Sequence, residues 1–188
     1  MKRSQVPVDA PPRATRRATS LVLVNTGDGK GKSTAAFGTA LRAVARGWKV
    51  CVVQFIKSAK WKVGERDMSE RLGVEWWTLG DGFTWDSRSM ERTEAVAREA
   101  WHVAQEKIAS GTYGLVVLDE VTYPINWGWI PVEDVVSAIK ARPANVNVIL
   151  TGRDAPAELV DIADTVTEMR NRKHAFDHGV RALRGIDF

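Results

Sequence analysis

Residues 26–33 read Thr-Gly-Asp-Gly-Lys-Gly-Lys-Ser, a run of glycines interleaved with two lysines and closed by a hydroxyl. These residue types suit the surrounding of phosphate oxygens. Gly27, Gly29 and Gly31 let backbone N–H groups turn inward. Lys32 brings a point charge to the phosphates, and the Ser33 hydroxyl suits a divalent metal such as Mg²⁺, with Mn²⁺ as an alternative. Lys30 adds a second cation, Asp28 a negative charge near the phosphates, and Thr34 follows at the start of a helix. The Gly-x-x-x-x-Gly-Lys-[Ser/Thr] phosphate-loop pattern fails at one position, where Thr26 stands for the first glycine. Its context supports it: an apolar run leads directly in, and an amphipathic helix leads directly out with its positive dipole end toward the loop. The implied ligand is a nucleoside triphosphate, ATP above others.

A triphosphate site needs a carboxylate from a neighbouring strand. Asp119 and Glu120 follow the apolar run 115–118 and are the candidates, with Ser33, for holding a metal. A competing reading makes Asp119 the cap of a following helix. Lys57 and Arg153 follow two further apolar runs and are placed to balance polyphosphate charge, although each alone also reads as a solvated surface charge. Phe83 and Trp85 occupy the glycine-bearing loop 80–86. They read either as core or as an apolar ligand contact. His102 falls mid-helix and reads as structural. His174 has no partners spaced for zinc. Cys51, the one cysteine, lies among valines and reads as a buried thiol.

The elements expected to position these groups alternate. Apolar runs mark strands over residues 21–25, 49–56, 74–78, 115–118 and 147–150, with a last one over 165–168. Helical periodicity marks residues 33–46, with Ala36, Phe37, Ala40, Leu41 and Val44 on one face. It also marks 87–110, 132–141 and 156–162. Strands this apolar are covered on both faces, so the fold expected is α/β, P-loop NTPase-like (RecA-like), a mostly parallel sheet with helices on both faces. The chain of 188 residues, 44% hydrophobic, suits one domain over residues 20–188 behind a basic, flexible arm over 1–19. The arm reads as a disordered tail or as a flap that folds over a ligand. The net charge of +4 suits an anionic small molecule, and the arm lacks the aromatics of a nucleic-acid binder. No apolar run spans a bilayer and no secretory signal is present, so a cytoplasmic protein with no membrane and no nucleic-acid partner is expected.

A phosphate loop does not name a reaction. The residues leave open an ATPase or kinase, a motor, a nucleotidyl or adenosyl transferase, and a nucleotide-switched binding protein. Taken together, however, the segments 26–38, 52–57, 82–85, 117–120, 141–143, 151–153, 163–166 and 173–177 resemble the corrinoid adenosyltransferases. They cover nearly the whole chain after residue 20, in order. The resemblance accounts for Thr26, since the family's loop carries the same shifted glycine. The family more often has Asn where Asp28 stands and Thr where Ser33 stands. The resemblance implies transfer of adenosyl from ATP to the reduced cobalt of cob(I)alamin or another corrinoid, with triphosphate as leaving group. It implies an apolar space made by Phe83 and Trp85 beneath the corrin ring. It implies nucleotide contacts from Arg153 and Lys173, an arm that closes over the substrates, a reduced flavoprotein as electron donor, and a homodimer.

Overall fold

The computed structural model of the protein describes residues 17–57, 64–80 and 90–187. Its strands are β1 (Val22–Thr26), β2 (Val50–Phe55), β3 (Glu75–Leu79), β4 (Leu115–Asp119), β5 (Asn147–Thr151) and β6 (Thr165–Glu168). They form one sheet in the order β3-β2-β4-β5-β1-β6, and every pairing is parallel. The expected α/β class and strand–helix alternation are therefore observed.

Successive residues of a strand face opposite sides, and the core divides accordingly. Leu115 and Val117 of β4 pack with Ala36, Phe37, Ala40 and Ala43 of α1 (Lys32–Ala45) on one face. Val116 and Leu118 pack on the other face with α3 (Met90–Ala109) and α5 (Val132–Lys140) through Ala100, Ala104, Ile108, Val135 and Ile139. These four apolar β4 side chains are at most 2% exposed, which accounts for a run with no polar alternation. Burying each contributes roughly 1.5–3 kcal/mol.

The helix α1 ends where Gly47 takes φ 74°. Leu41, expected on its buried face, is 49% exposed. It lines a groove between α1 and α2 (Gly64–Arg71), a helix that the apolar pattern does not reveal. The reason is that α2 has no buried residue. An Arg66–Glu70 pair at i,i+4 supports its surface instead. The short α4 (Thr122–Asn126) is also absent from the periodicity, and α6 is Ala157–Ile162. Among the described residues, no helix is long and apolar enough to cross a membrane. Residues 1–16 of the expected arm lie outside the described residues, as do Phe83 and Trp85.

Candidate nucleotide site

In a parallel sheet all carboxyl ends open on one side, and in open α/β sheets that is where ligands bind. Here β1 leads into the loop at residues 27–31, β2 into Lys57, β4 into Glu120, and β5 into Arg153. A cleft of about 220 Å³ lies among them, lined by Lys30, Gly31, Lys32, Ser33 and Thr34 of the loop and α1, by Gln54 and Lys57, and by Glu120, Tyr123 and Arg153. The structure thus brings the basic and hydroxyl candidates from four separate stretches of sequence to one surface.

The loop is held from several directions. Lys32 Nζ donates to the carbonyl oxygens of Gly27 and Gly29, both at 2.7 Å. Burial, then the neighbouring Arg153 guanidinium, pushes this ammonium below the usual lysine range, against the pull of Asp28 and Glu120. The chain after β6 runs along the other flank. Gly29 N–H donates to Met169 O at 2.6 Å, and Met169 N–H donates to Thr26 O at 2.8 Å. A Cβ on Gly27, whose φ is 93°, would stand 2.5 Å from Met169 O, and one on Gly29 would stand 2.8 Å from it. Glycine is therefore required at 27 and 29 by a close backbone approach, and the Gly29 amide is committed within the protein. Thr26 is equally placed: its hydroxyl accepts from Ala155 N–H at 3.1 Å, tying the loop to the segment after β5. A glycine there would lose that tie. Asp28 is exposed.

Asp119 and Glu120 divide their tasks. Asp119 is fully buried. Its Oδ2 accepts from Gln54 Nε2 and its Oδ1 from Thr151 Oγ1, each at 2.8 Å. It does not cap α4, whose first turn has no side-chain cap. Glu120, in contrast, lines the cleft. Its backbone sits at φ 63°, and its N–H donates to Thr151 Oγ1 at 2.9 Å. Among the described residues the non-glycine positive-φ positions are Ile56, Glu120 and Asp154, each just beyond a strand that feeds the cleft. Such conformations cost roughly 1–3 kcal/mol each and persist where surrounding structure enforces them. Burial pushes the Glu120 carboxyl up to about 7, with Asp119 adding to the effect and Lys57 and Lys32 opposing it. Lys57 Nζ lies 3.7 Å from Asp119 Oδ2 and 3.6 Å from Glu120 Oε1. Burial alone would lower this ammonium's pKa, but the two carboxylates outweigh it and hold it above the usual range.

The donor set suits a small hard divalent cation. Ser33 and Glu120 present oxygens to the cleft, whereas both Asp119 oxygens already accept protein hydrogen bonds. Among the described residues there is no group of three or more His, Cys, Asp and Glu that suits a metal without further ligands.

Of the remaining candidates, Lys30 lines the cleft, whereas Lys173, His174 and His102 lie apart from it. Lys30 pairs with Asp187, whose carboxylate also reaches the cleft. Lys173 lines a neighbouring hollow of about 470 Å³ that shares Lys30 and Asp187 with the loop. His174 accepts from Phe176 N–H and caps the 3₁₀ turn Ala175–His178. His102 is exposed on α3, 3.4 Å from Glu106. The residue pattern alone does not reveal the roles of Gln54, Thr151, Tyr123, Met169 and Asp187. For Gln54 and Thr151 a signal existed, a polar residue at the end of an apolar strand. For Met169 and Asp187 there was none, because their approach to the loop depends on the path of the chain after β6.

Fold and cleft define a P-loop nucleotide-binding protein. The chain belongs to a particular family of that class: residues 18–188 match the family described as ATP:corrinoid adenosyltransferase BtuR/CobO/CobP. It is 46% identical over 181 residues to the corrinoid adenosyltransferase of Escherichia coli (strain K12), covering 96% of this chain and 92% of that protein. The corrinoid adenosyltransferase CobA of Salmonella typhimurium is 45% identical over the same shares. That of Pseudomonas aeruginosa is 42% identical over 190 residues, covering 100% of this chain and 93% of that protein.

Proposed function

We propose that this protein transfers the 5′-deoxyadenosyl group of ATP to the reduced cobalt of a corrinoid and releases triphosphate. The observation that carries the reading is family membership over residues 18–188, a span containing every residue of the cleft. In the reaction a cobalt–carbon bond forms at the ribose C5′, the C5′–oxygen bond breaks, and its electron pair leaves on the triphosphate. The cobalt nucleophile carries no proton, so no general base is needed.

The work of the chain is then to hold and stabilise the leaving group. Lys32 and Lys30 carry positive charge at the loop, and Arg153 and Lys57 face it across the cleft. Ser33 and Glu120 would hold Mg²⁺, and Asp119 serves them as the buried anchor that fixes Lys57 and the end of β4. When bound, the cation neutralises charge gathering on the triphosphate oxygens. Thr34 and the loop backbone orient the phosphates, and Lys173 extends the basic surface toward the ribose. Phe83 and Trp85 supply an apolar wall to the corrinoid, which denies the departing lower ligand a polar partner and eases reduction of cobalt. The family resemblance supports three further assignments: a reduced flavoprotein as electron donor, a homodimeric assembly, and a cytoplasmic location.

The test is incubation with ATP, Mg²⁺ and chemically reduced cobalamin, followed by the absorbance of the corrinoid. Conversion to a light-sensitive alkylcobalamin is expected, and an unchanged spectrum alongside ADP formation would replace the reading with an ATPase or kinase. Phe83→Ala is expected to lose activity when cobalt must be reduced on the enzyme and to retain most of it when cobalt is supplied already reduced. Full activity in the first condition would remove Phe83 from the mechanism.

A further inference from the structure

Among the described residues, two buried side-chain polar atoms lack a hydrogen-bond partner, Gln54 Oε1 and Trp101 Nε1. Trp101 belongs to the core beneath α3. Gln54 is different: it is 1% exposed, yet it lines the nucleotide cleft beside Ser33, Lys57 and Glu120. In the sheet it pairs in register with Asp119. That pairing decides how its amide lies. A carboxylate only accepts, so the amide nitrogen faces Asp119 Oδ2, at 2.8 Å, and a flipped amide would set oxygen against oxygen. The carbonyl oxygen is therefore a desolvated acceptor waiting for a donor, an arrangement costing roughly 1–3 kcal/mol when unmet.

Ser33, Thr34, Tyr123 and Arg153 carry donors to the cleft lining, but none of them bonds Gln54 Oε1. Lys32 gives two protons to the carbonyls of Gly27 and Gly29. Lys57 lies between Asp119 and Glu120. A triphosphate presents acceptor oxygens, which repel a carbonyl. Water is the donor left to meet it, and the most strongly donating water in such a site is one bound to the metal, because Mg²⁺ typically keeps several waters when few protein groups ligate it directly.

We propose that Gln54 is an outer-sphere ligand of the nucleotide's divalent cation: Oε1 accepts from a cation-bound water while Nε2 holds Asp119 in place. Gln54 is thus a positioning residue. It joins the buried anchor to the hydration shell and fixes where the cation sits relative to Ser33 and Glu120. This rests on the nucleotide–metal reading of the cleft and is independent of the corrinoid.

The test compares metal binding with nucleotide binding. Mn²⁺ affinity is measured by electron paramagnetic resonance in the presence of ATP, ATP affinity is measured by calorimetry in EDTA, and the unfolding midpoint is recorded for each variant. Gln54→Met keeps the shape and removes both the acceptor and the donor that holds Asp119. It is expected to weaken Mn²⁺ binding to the protein–ATP complex about tenfold or more, while metal-free ATP affinity stays within about twofold. Should the Met variant fail to fold, Gln54→Asn, which withdraws the amide by one methylene, reads the same way. Unchanged Mn²⁺ affinity would overturn the proposal. So would an equal loss with and without metal, which would make Gln54 a support of Asp119 alone. If the wild-type protein bound Mn²⁺–ATP no better than metal-free ATP, the nucleotide–metal reading itself would fail, and that outcome is distinct from either result with the variants.

Discussion

Gly152→Ala probes the junction between β5 and Arg153. Gly152 has φ 146°, and a Cβ there would stand 1.9 Å from Thr122 Oγ1, against an ordinary contact of about 3.5 Å. That hydroxyl is fully buried and donates to Arg153 O at 2.6 Å. Two penalties follow. The first is an L-residue forced into glycine's backbone region, roughly 1–3 kcal/mol. The second is the displaced Thr122 hydroxyl and its hydrogen bond, about 1 kcal/mol. Their sum is about 3 kcal/mol, or a fall in Tm of about 10 °C for a chain of this size. Because Arg153 is the next residue, ATP affinity is expected to fall as well. Thermal and urea unfolding of Gly152→Ala, Thr122→Ala and the double variant separate the parts. The double variant should recover the steric share but not the backbone share, giving a coupling energy of about 1 kcal/mol. A single variant destabilised by under about 0.5 kcal/mol, or strict additivity in the cycle, would refute the reasoning.

Three other outcomes are expected. Lys32→Met removes two charge-assisted hydrogen bonds to the loop and a cation lining the cleft, so calorimetry should show ATP binding weakened about 100-fold; a change below about threefold would exclude Lys32 from phosphate binding. Burial opposes ionisation of Glu75, but hydrogen bonds from Lys107, Tyr113 and Trp77 outweigh it and hold the carboxyl down at about 2, from an ordinary 4.5. Its folded pKa lies below its unfolded one, so it stabilises the protein above pH 4.5, and that contribution is lost as pH falls toward 2. The shift corresponds to about 3 kcal/mol, discounted to about 1 because the side chain is 38% exposed, and Glu75→Gln should flatten the acid limb of a stability–pH curve by that amount. Burial, with Glu75 nearby, pushes the Cys51 thiol up to about 12, so a disulfide reagent at pH 8 should leave native protein unmodified and titrate one thiol after unfolding.

The parts of the fold visible in the sequence are those governed by burial. β2 and β4 are buried along their length and read as strands because their apolar runs, Val50–Val53 and Leu115–Leu118, face a core on both sides before Gln54 and Asp119 appear. The phosphate loop was legible for a related reason, since its glycines, lysines and hydroxyl are local and contiguous. The helix α2 was not, because it buries nothing, and α4 was not, because five residues containing Pro124 carry no period. Within the site, the split between Asp119 as buried anchor and Glu120 as the cleft-lining carboxylate depends on the left-handed turn at Glu120 and on the register that sets Gln54 beside Asp119. Neither follows from residue order. The flank formed by Met169 and Asp187 is a consequence of β6 lying beside β1, a long-range pairing that no local pattern encodes.

The central claim is that ATP is opened at the ribose C5′ with its phosphoanhydrides intact. ³¹P NMR of the products from ATP, Mg²⁺, reduced cobalamin and enzyme tests this most directly. Free tripolyphosphate, in equal amount to the adenosylated corrinoid, is the expected result. Resonances of ADP and orthophosphate, with no tripolyphosphate, would contradict it.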